Sequence, residues 1–274
     1  MTNHATKSPS HIRPLRFVNE TNVNILQNSK FQFAQKHALS LYSPEAIYSF
    51  IPKNGCTSLR TSIAAANGFF QYKNPSEHIN WVHNNTYTFS AQLRELVTAK
   101  YTFTILRCPY SRLASLFLDK FVDKTPVAWN FFRQTNNTAN LDEISFHDFI
   151  LKLQQPNLIN TDIHWRKQTD FLIYENYDDY FDFDDFNTIQ NTLAQKINLD
   201  TIDTRMITHH GREKYTNISG NFSNETTTFL KNMKCSGELP NIDSMYTDKL
   251  RKIVKELYSQ DFKLIDEKLK KNNT

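Results

Sequence analysis

The chain has 274 residues and a mass of 32.2 kDa, enough to bury one large core or two small ones. Hydrophobic residues make up 39% and aromatics 13%, which excludes a disordered chain. The 32 Lys and Arg against 28 Asp and Glu leave a net charge of +4 with no long basic run, so a nucleic-acid partner is not expected.

No apolar stretch approaches the ~20 residues that a helix needs to span a bilayer, so no transmembrane segment is expected. The first residues carry no apolar h-region, which points to a cytoplasmic protein. The three cysteines, Cys56, Cys108 and Cys235, form no CxxC pair. Neither a disulfide scaffold nor a structural zinc site follows from them. Glycine is scarce at five residues, so each is expected where backbone geometry demands it, the first being Gly55.

In chain order, residues 1–40 are polar and mixed and read as an arm or irregular cover, with a single domain over 41–268. Glu45 to Ile51 reads as a short buried strand that meets Pro52. Thr57 to Ala66 offers capping hydroxyls followed by good helix formers and stops near Gly68. A helical segment over Ala91–Val97 precedes Tyr101–Leu106, whose β-branched and aromatic residues mark a strand. Arg107-Cys108-Pro109 breaks that strand. Tyr110 to Phe121 then reads as a helix with Leu113, Leu116, Phe117 and Phe121 on or near one face. Further helices are expected near 145–154, 187–197 and 246–257. Strands alternating with helices predict an α/β domain with a mostly parallel sheet, and such sheets bind ligands beyond the carboxyl ends of their strands.

Two loops lie there. In Pro52-Lys53-Asn54-Gly55-Cys56-Thr57-Ser58, the glycine admits an anion close to the backbone. Thr57 and Ser58 add hydroxyls at a helix N-terminus, and Lys53 adds a mobile charge. Taken alone this could equally be an ordinary strand-to-helix turn with a surface lysine. It is not a Walker A loop, because no lysine follows the glycine, which argues against a kinase. In the second loop Arg107 ends a strand, a position from which a guanidinium grips a phosphate, and Arg112 and Ser115 share a helix face further on.

PKNGCTSLR resembles the 5′-phosphosulfate loop, PKxGCTSL, of the carbohydrate sulfotransferases that use 3′-phosphoadenosine 5′-phosphosulfate (PAPS). RCPYSRLASLFLDKF resembles their 3′-phosphate motif, RxPxxRLxSxxxDKF, through Asp119-Lys120-Phe121. His164-Trp165-Arg166-Lys167-Gln168 is similar to their HWxxQ segment. Phe183-Asp184-Asp185-Phe186 is similar to their later "fEnl" segment, with Asp184 where Glu is usual. Tyr258-Ser259-Gln260-Asp261-Phe262 is similar to their closing YxxDF. The resemblance spans roughly residues 45 to 265 and is nearest the chondroitin 4-O- and uronyl 2-O-sulfotransferase-like branch.

It implies a P-loop-like sulfotransferase fold, with a central mostly parallel sheet flanked by helices. The implied activity is direct, in-line transfer of a sulfuryl group from PAPS to a carbohydrate hydroxyl, leaving PAP, without a metal. Lys53, Asn54, Gly55, Cys56, Thr57 and Ser58 would surround the 5′-phosphosulfate, and Arg107 and Ser115 would hold the 3′-phosphate. Cys56 and Cys108 read as small packing residues, since the transfer is direct. A lipid or small-metabolite acceptor is the alternative within the class, and a glycan- or nucleotide-binding module without turnover the alternative outside it. A bacterial enzyme acting on a capsular or exported glycan fits the absence of a leader.

An attacking hydroxyl needs a base. His83 is the first candidate, because the related uronyl enzymes carry their catalytic histidine about as far before the 3′-phosphate arginine. His78, His164 and Glu77 follow. A zinc site from His78, His83, His209 and His210 is disfavoured for want of a supporting motif. The segment His209-His210-Gly211-Arg212-Glu213-Lys214 reads either as a solvated loop or as a basic cover, with Arg212 and Lys214 facing sulfate or phosphate.

Overall fold

A computed structural model describes residues 12–18, 24–70, 75–135, 140–204 and 214–269. The chain divides into two compact units, each gathered from separate segments. One takes Met1–Ile51, Thr57–Ile105 and Asp170–Ile202; the other takes Pro52–Cys56, Leu106–Thr169 and Asp203–Thr274.

The first unit holds a four-stranded sheet in the order β1 (Ala38–Leu41), β2 (Ala46–Ser49), β3 (Tyr101–Leu106), β4 (Asp179–Asp182). β2 and β3 run parallel with Ala46 opposite Tyr101, and β1 joins β2 antiparallel with Ala38 opposite Ser49. Every residue of β1, β2 and β3 is buried, the pattern of strands covered on both faces. Two of the hydroxyls buried with them pair within the sheet and its cover. Thr104 Oγ1 donates to Ser49 O at 2.9 Å, and Ser49 Oγ lies 2.6 Å from the Tyr177 hydroxyl.

A parallel pair needs a long crossover, and between β2 and β3 it contains α2 (Cys56–Ala66), α3 (Pro75–Asn85) and α4 (Leu93–Thr98). α4 opens on a capping box in which Glu95 accepts from the Gln92 backbone. α8 (Phe186–Ile197) follows β4, capped by Asp185 accepting from Thr188 N, and buries Phe186, Ile189, Leu193 and Ile197 at helical spacing. The "fEnl"-like stretch is thus a helix start, with Asp184 exposed and Asp185 as the cap.

Part of what the sequence suggested was an irregular arm is regular. α1 (Ser29–Lys36) is capped by Asn28, buries Phe31 and Ala34, and leads into β1. Its polar composition hid it, since only two of its residues are buried.

The second unit is built on an aromatic core. α5 (Pro109–Leu116), α6 (Pro126–Gln134), α7 (Phe146–Lys152), α9 (Thr227–Cys235), α10 (Asp248–Leu257) and α11 (Ser259–Lys268) supply it, with a two-stranded parallel ribbon of β5 (Thr216–Ile218) and β6 (Glu238–Pro240). Phe117, Phe121, Phe131, Phe146, Phe149 and Trp165 are fully buried among one another. The helix expected over Tyr110–Phe121 is α-helical only to Leu116. Phe117–Phe121 is a π-turn closed by Val122 N donating to Phe117 O at 3.1 Å, with the Phe117 and Phe121 rings stacked 5.2 Å apart. Such one-residue insertions cluster at functional sites.

Candidate active site

Beyond β2 the chain enters Pro52–Cys56. Lys53 has φ of 72° and Gly55 φ of 71°, so both stand in the left-handed region. Glycine takes that conformation freely, whereas at Lys53 it costs about 1–2 kcal/mol. Contacts within the second unit hold it there. Arg107 Nη1 donates to Lys53 O at 2.8 Å, Arg112 Nε to Pro52 O at 3.0 Å, and Asn54 Nδ2 to Gln168 Oε1 at 2.7 Å. The loop opens directly into α2, whose first turn contains no acidic residue. The leading N–H groups of that turn have no intrahelical acceptor and carry the positive end of the helix dipole.

Gln168 is the joint between the two loops. Its Oε1 also accepts from Arg107 N at 3.1 Å while its Nε2 donates to Arg107 O at 2.8 Å, pairing with that backbone as a neighbouring strand would. Gln168 is held in turn from α11: Asp261, fully buried, accepts from the backbone N–H of Gln168 at 2.9 Å and of Thr169 at 3.1 Å. The Tyr258 hydroxyl donates to Trp165 O, and burial pushes that phenol well above its ordinary pKa, so it stays a donor. Arg112 completes the frame. Besides Pro52 O it donates to Arg166 O at 2.7 Å and to Ile163 O at 3.2 Å.

The Lys53 ammonium donates to Asp119 Oδ2 at 2.8 Å, and Lys120 Nζ lies 3.1 Å from the same oxygen. Burial lowers the Lys53 pKa from its ordinary value. Asp119 opposes that shift, while Lys120 and Arg107 add to it. Cys56 and Cys108 are half-buried free thiols, Thr57 is half-buried and Ser58 buried in the first turn of α2, and Ser115 is half-buried on α5. Lys214 is exposed two residues before β5. Arg212, His209 and His210 lie outside the described residues, as does the side chain of Glu77.

The candidate bases divide between the units. His78 and His83 lie on α3 in the first unit. His78 is half-buried and stacked on Phe70 at 4.2 Å, and His83 is exposed. Five residues apart on a helix, they point roughly 140° apart, so they do not face one site together. His164 lies in the second unit, with Nδ1 2.7 Å from Asp162 Oδ1. Among the described residues no group of three or more His, Cys, Asp or Glu side chains is placed to hold a metal ion.

The site thus brings together Lys53, Asn54 and Arg107 in one hydrogen-bonded frame whose other members are Gln168, Asp261 and Arg112. Arg112 was noted from the sequence only as sharing a helix face with Ser115, while Gln168, Asp261 and Asp119 were not singled out there as site residues. The signal for them lay in the HWxxQ-, DKF- and YxxDF-like stretches. The profile described as Sulfotransferase family matches residues 42–266, most of the chain and all five motif stretches. The chain belongs to the sulfotransferase family. No match joins it to a curated protein or to a solved structure. Membership assigns this sulfotransferase a sulfuryl-transfer activity, and its mixed α/β fold agrees. No helix among its described residues is long and apolar enough to cross a membrane.

Proposed function

We propose that the enzyme transfers a sulfuryl group from PAPS to a carbohydrate hydroxyl, directly and in line, on a P-loop-like anion cradle. The carrying observation is the 2.8 Å bond from Arg107 Nη1 to Lys53 O, which makes the two anion loops one assembly. The donor set suits a ligand that is anionic at both ends. Lys53 and Arg107 are cationic, Thr57, Ser58 and Ser115 carry hydroxyls, and the first turn of α2 has no carboxylate to repel phosphate. In this reading Arg107 and Ser115 hold the 3′-phosphate, with Arg212 and Lys214 as further contacts, and residues Lys53–Ser58 hold the 5′ end. PAPS, when bound, supplies the sulfuryl group. Lys53 then neutralises charge gathering on the leaving oxygen, which is where a preorganised cation contributes most.

Similarity of the two loops to the carbohydrate branch supports the sugar acceptor. The base is assigned to His83, with His78 and Glu77 next. A second reading has an observation of its own: Asp162 fixes Nδ1 of His164, the arrangement that leaves Nε2 free to accept a proton. Labelled-PAPS transfer to a panel of sugars, lipids and small alcohols tests the whole. Transfer to a sugar supports it, transfer only to lipid or small alcohol moves the acceptor, and PAP binding without transfer to anything leaves a binding module. His83→Ala should cut turnover by roughly 10²–10⁴ while sparing PAP affinity. If His164→Ala does this and His83→Ala does not, the base is His164.

A further inference from the structure

Asp119 takes no part in the assignments above, yet it is the residue that Lys53 touches. The two side chains are 12% and 7% exposed, and Lys53 Nζ donates to Asp119 Oδ2 at 2.8 Å. The π-turn presents Asp119 between Phe117 and Phe121, whose rings are anchored in the aromatic core, so the carboxylate stands on rigid backbone. Lys53 is held twice, its carbonyl by Arg107 at 2.8 Å and its ammonium by Asp119.

We infer that Asp119 is a positioning residue of the transfer reaction, the fixed counter-ion that aims the Lys53 amine and keeps it charged in the buried loop. This rests on the reading of Lys53 as the cation of the transfer step. The physical need is plain. Burial disfavours the charged form of an amine, and two cations, Lys120 from the same π-turn and Arg107 from the end of β3, push Lys53 further toward its neutral form. Asp119 is a carboxylate set against Lys53 and Lys120. Lys120 shares its Oδ2 at 3.1 Å, so Asp119 balances two ammonium groups at one oxygen. An uncharged residue of the same shape in its place leaves Lys53 among cations, and the amine gives up its proton at lower pH.

The test is a titration of the ligand-free protein. Lysines carrying ¹³C-methyl groups are followed by NMR, the Lys53 signal being assigned by its loss in Lys53→Arg. In Asp119→Asn the Lys53 titration should move to lower pH than in the parent. An unmoved titration overturns the inference. Should Asp119→Asn not fold, Asp119→Ser removes the same charge and carries the same expectation. Turnover supplies the second readout. The alkaline limb of Asp119→Asn should begin at lower pH, so that the variant-to-parent ratio falls about tenfold from neutral to alkaline pH, the size of one charge-assisted hydrogen bond. At pH where the amine is charged in both proteins, PAP affinity should not weaken, because the lost charge is negative. Loosened structure alone would lower affinity at every pH and leave the limb in place, which also overturns the inference. A moved titration with no alkaline limb in either protein would uphold the ion pair and overturn the role of Lys53 in the transfer.

Discussion

At the scale of single residues, Lys53 and Arg107 combine two tasks that mutation can separate. Arg107 is a phosphate ligand in the proposed reaction and also a donor to Lys53 O. Arg107→Ala should weaken PAP by roughly ten- to a hundredfold, about 1.5–3 kcal/mol, read by calorimetry on folded protein. Unchanged affinity would remove it from the 3′-phosphate. Lys53→Ala should lower turnover under saturating PAPS more than it lowers PAP affinity, because its interaction strengthens as the S–O bond breaks. Equal losses would make it a plain binding residue. Its backbone gives a separate prediction. At φ of 72° a Cβ is strained, so Lys53→Gly should be more stable than Lys53→Ala by about 1 kcal/mol in denaturant titrations, the reverse of the usual order for an interior position.

At the scale of elements, the second unit arranges its loops by side chains that reach across segments distant in sequence. Arg112 leaves α5 to satisfy carbonyls of Pro52, Ile163 and Arg166, and it is almost fully buried. Lysine lacks the planar fork that meets several acceptors at once. Arg112→Lys should therefore leave at least one buried carbonyl orphaned and lower stability by at least about 2 kcal/mol, visible as a lower urea midpoint. Gln168→Glu keeps an acceptor for Asn54 but loses the donor to Arg107 O, and it sets a carboxylate beside the two loops proposed to hold the anion. It should weaken PAP at least as much as Arg107→Ala does, and retained affinity would show that the loops keep their geometry without this joint. The π-turn belongs at this scale too. No propensity in Phe117-Leu118-Asp119-Lys120-Phe121 announces it, because the extra residue per turn is fixed by where the Phe117 and Phe121 rings must pack.

At the scale of the whole molecule, a ligand that binds only the folded state stabilises it by mass action. PAP at a hundredfold excess over its dissociation constant should add about 2.7 kcal/mol, which raises the thermal midpoint of a chain this long by several degrees. ATP with magnesium should not reproduce the shift, since the loop has no lysine after its glycine. A larger shift with ATP and magnesium than with PAP would overturn the proposed cofactor.

The sequence by itself determined the strands at 46–49 and 101–106 and the helices at α2, α4, α7, α8 and α10, because each combines a local periodicity with its own start or stop signal. It also marked the two loops proposed to hold the anion, since Gly55, the hydroxyls of Thr57 and Ser58, and Arg107 before Pro109 are local chemistry. α3, α9 and α11 were not legible, being polar over most of their length, nor were the three-residue strands β5 and β6. Only the tertiary structure decided what Gln168, Asp261, Arg112 and Asp119 do. Each is a polar residue buried far along the chain from its partner, and a buried polar group must find one. The sequence shows that such residues exist, but their pairing is decided by a fold that brings residue 53 to 119 and residue 168 to both 54 and 261.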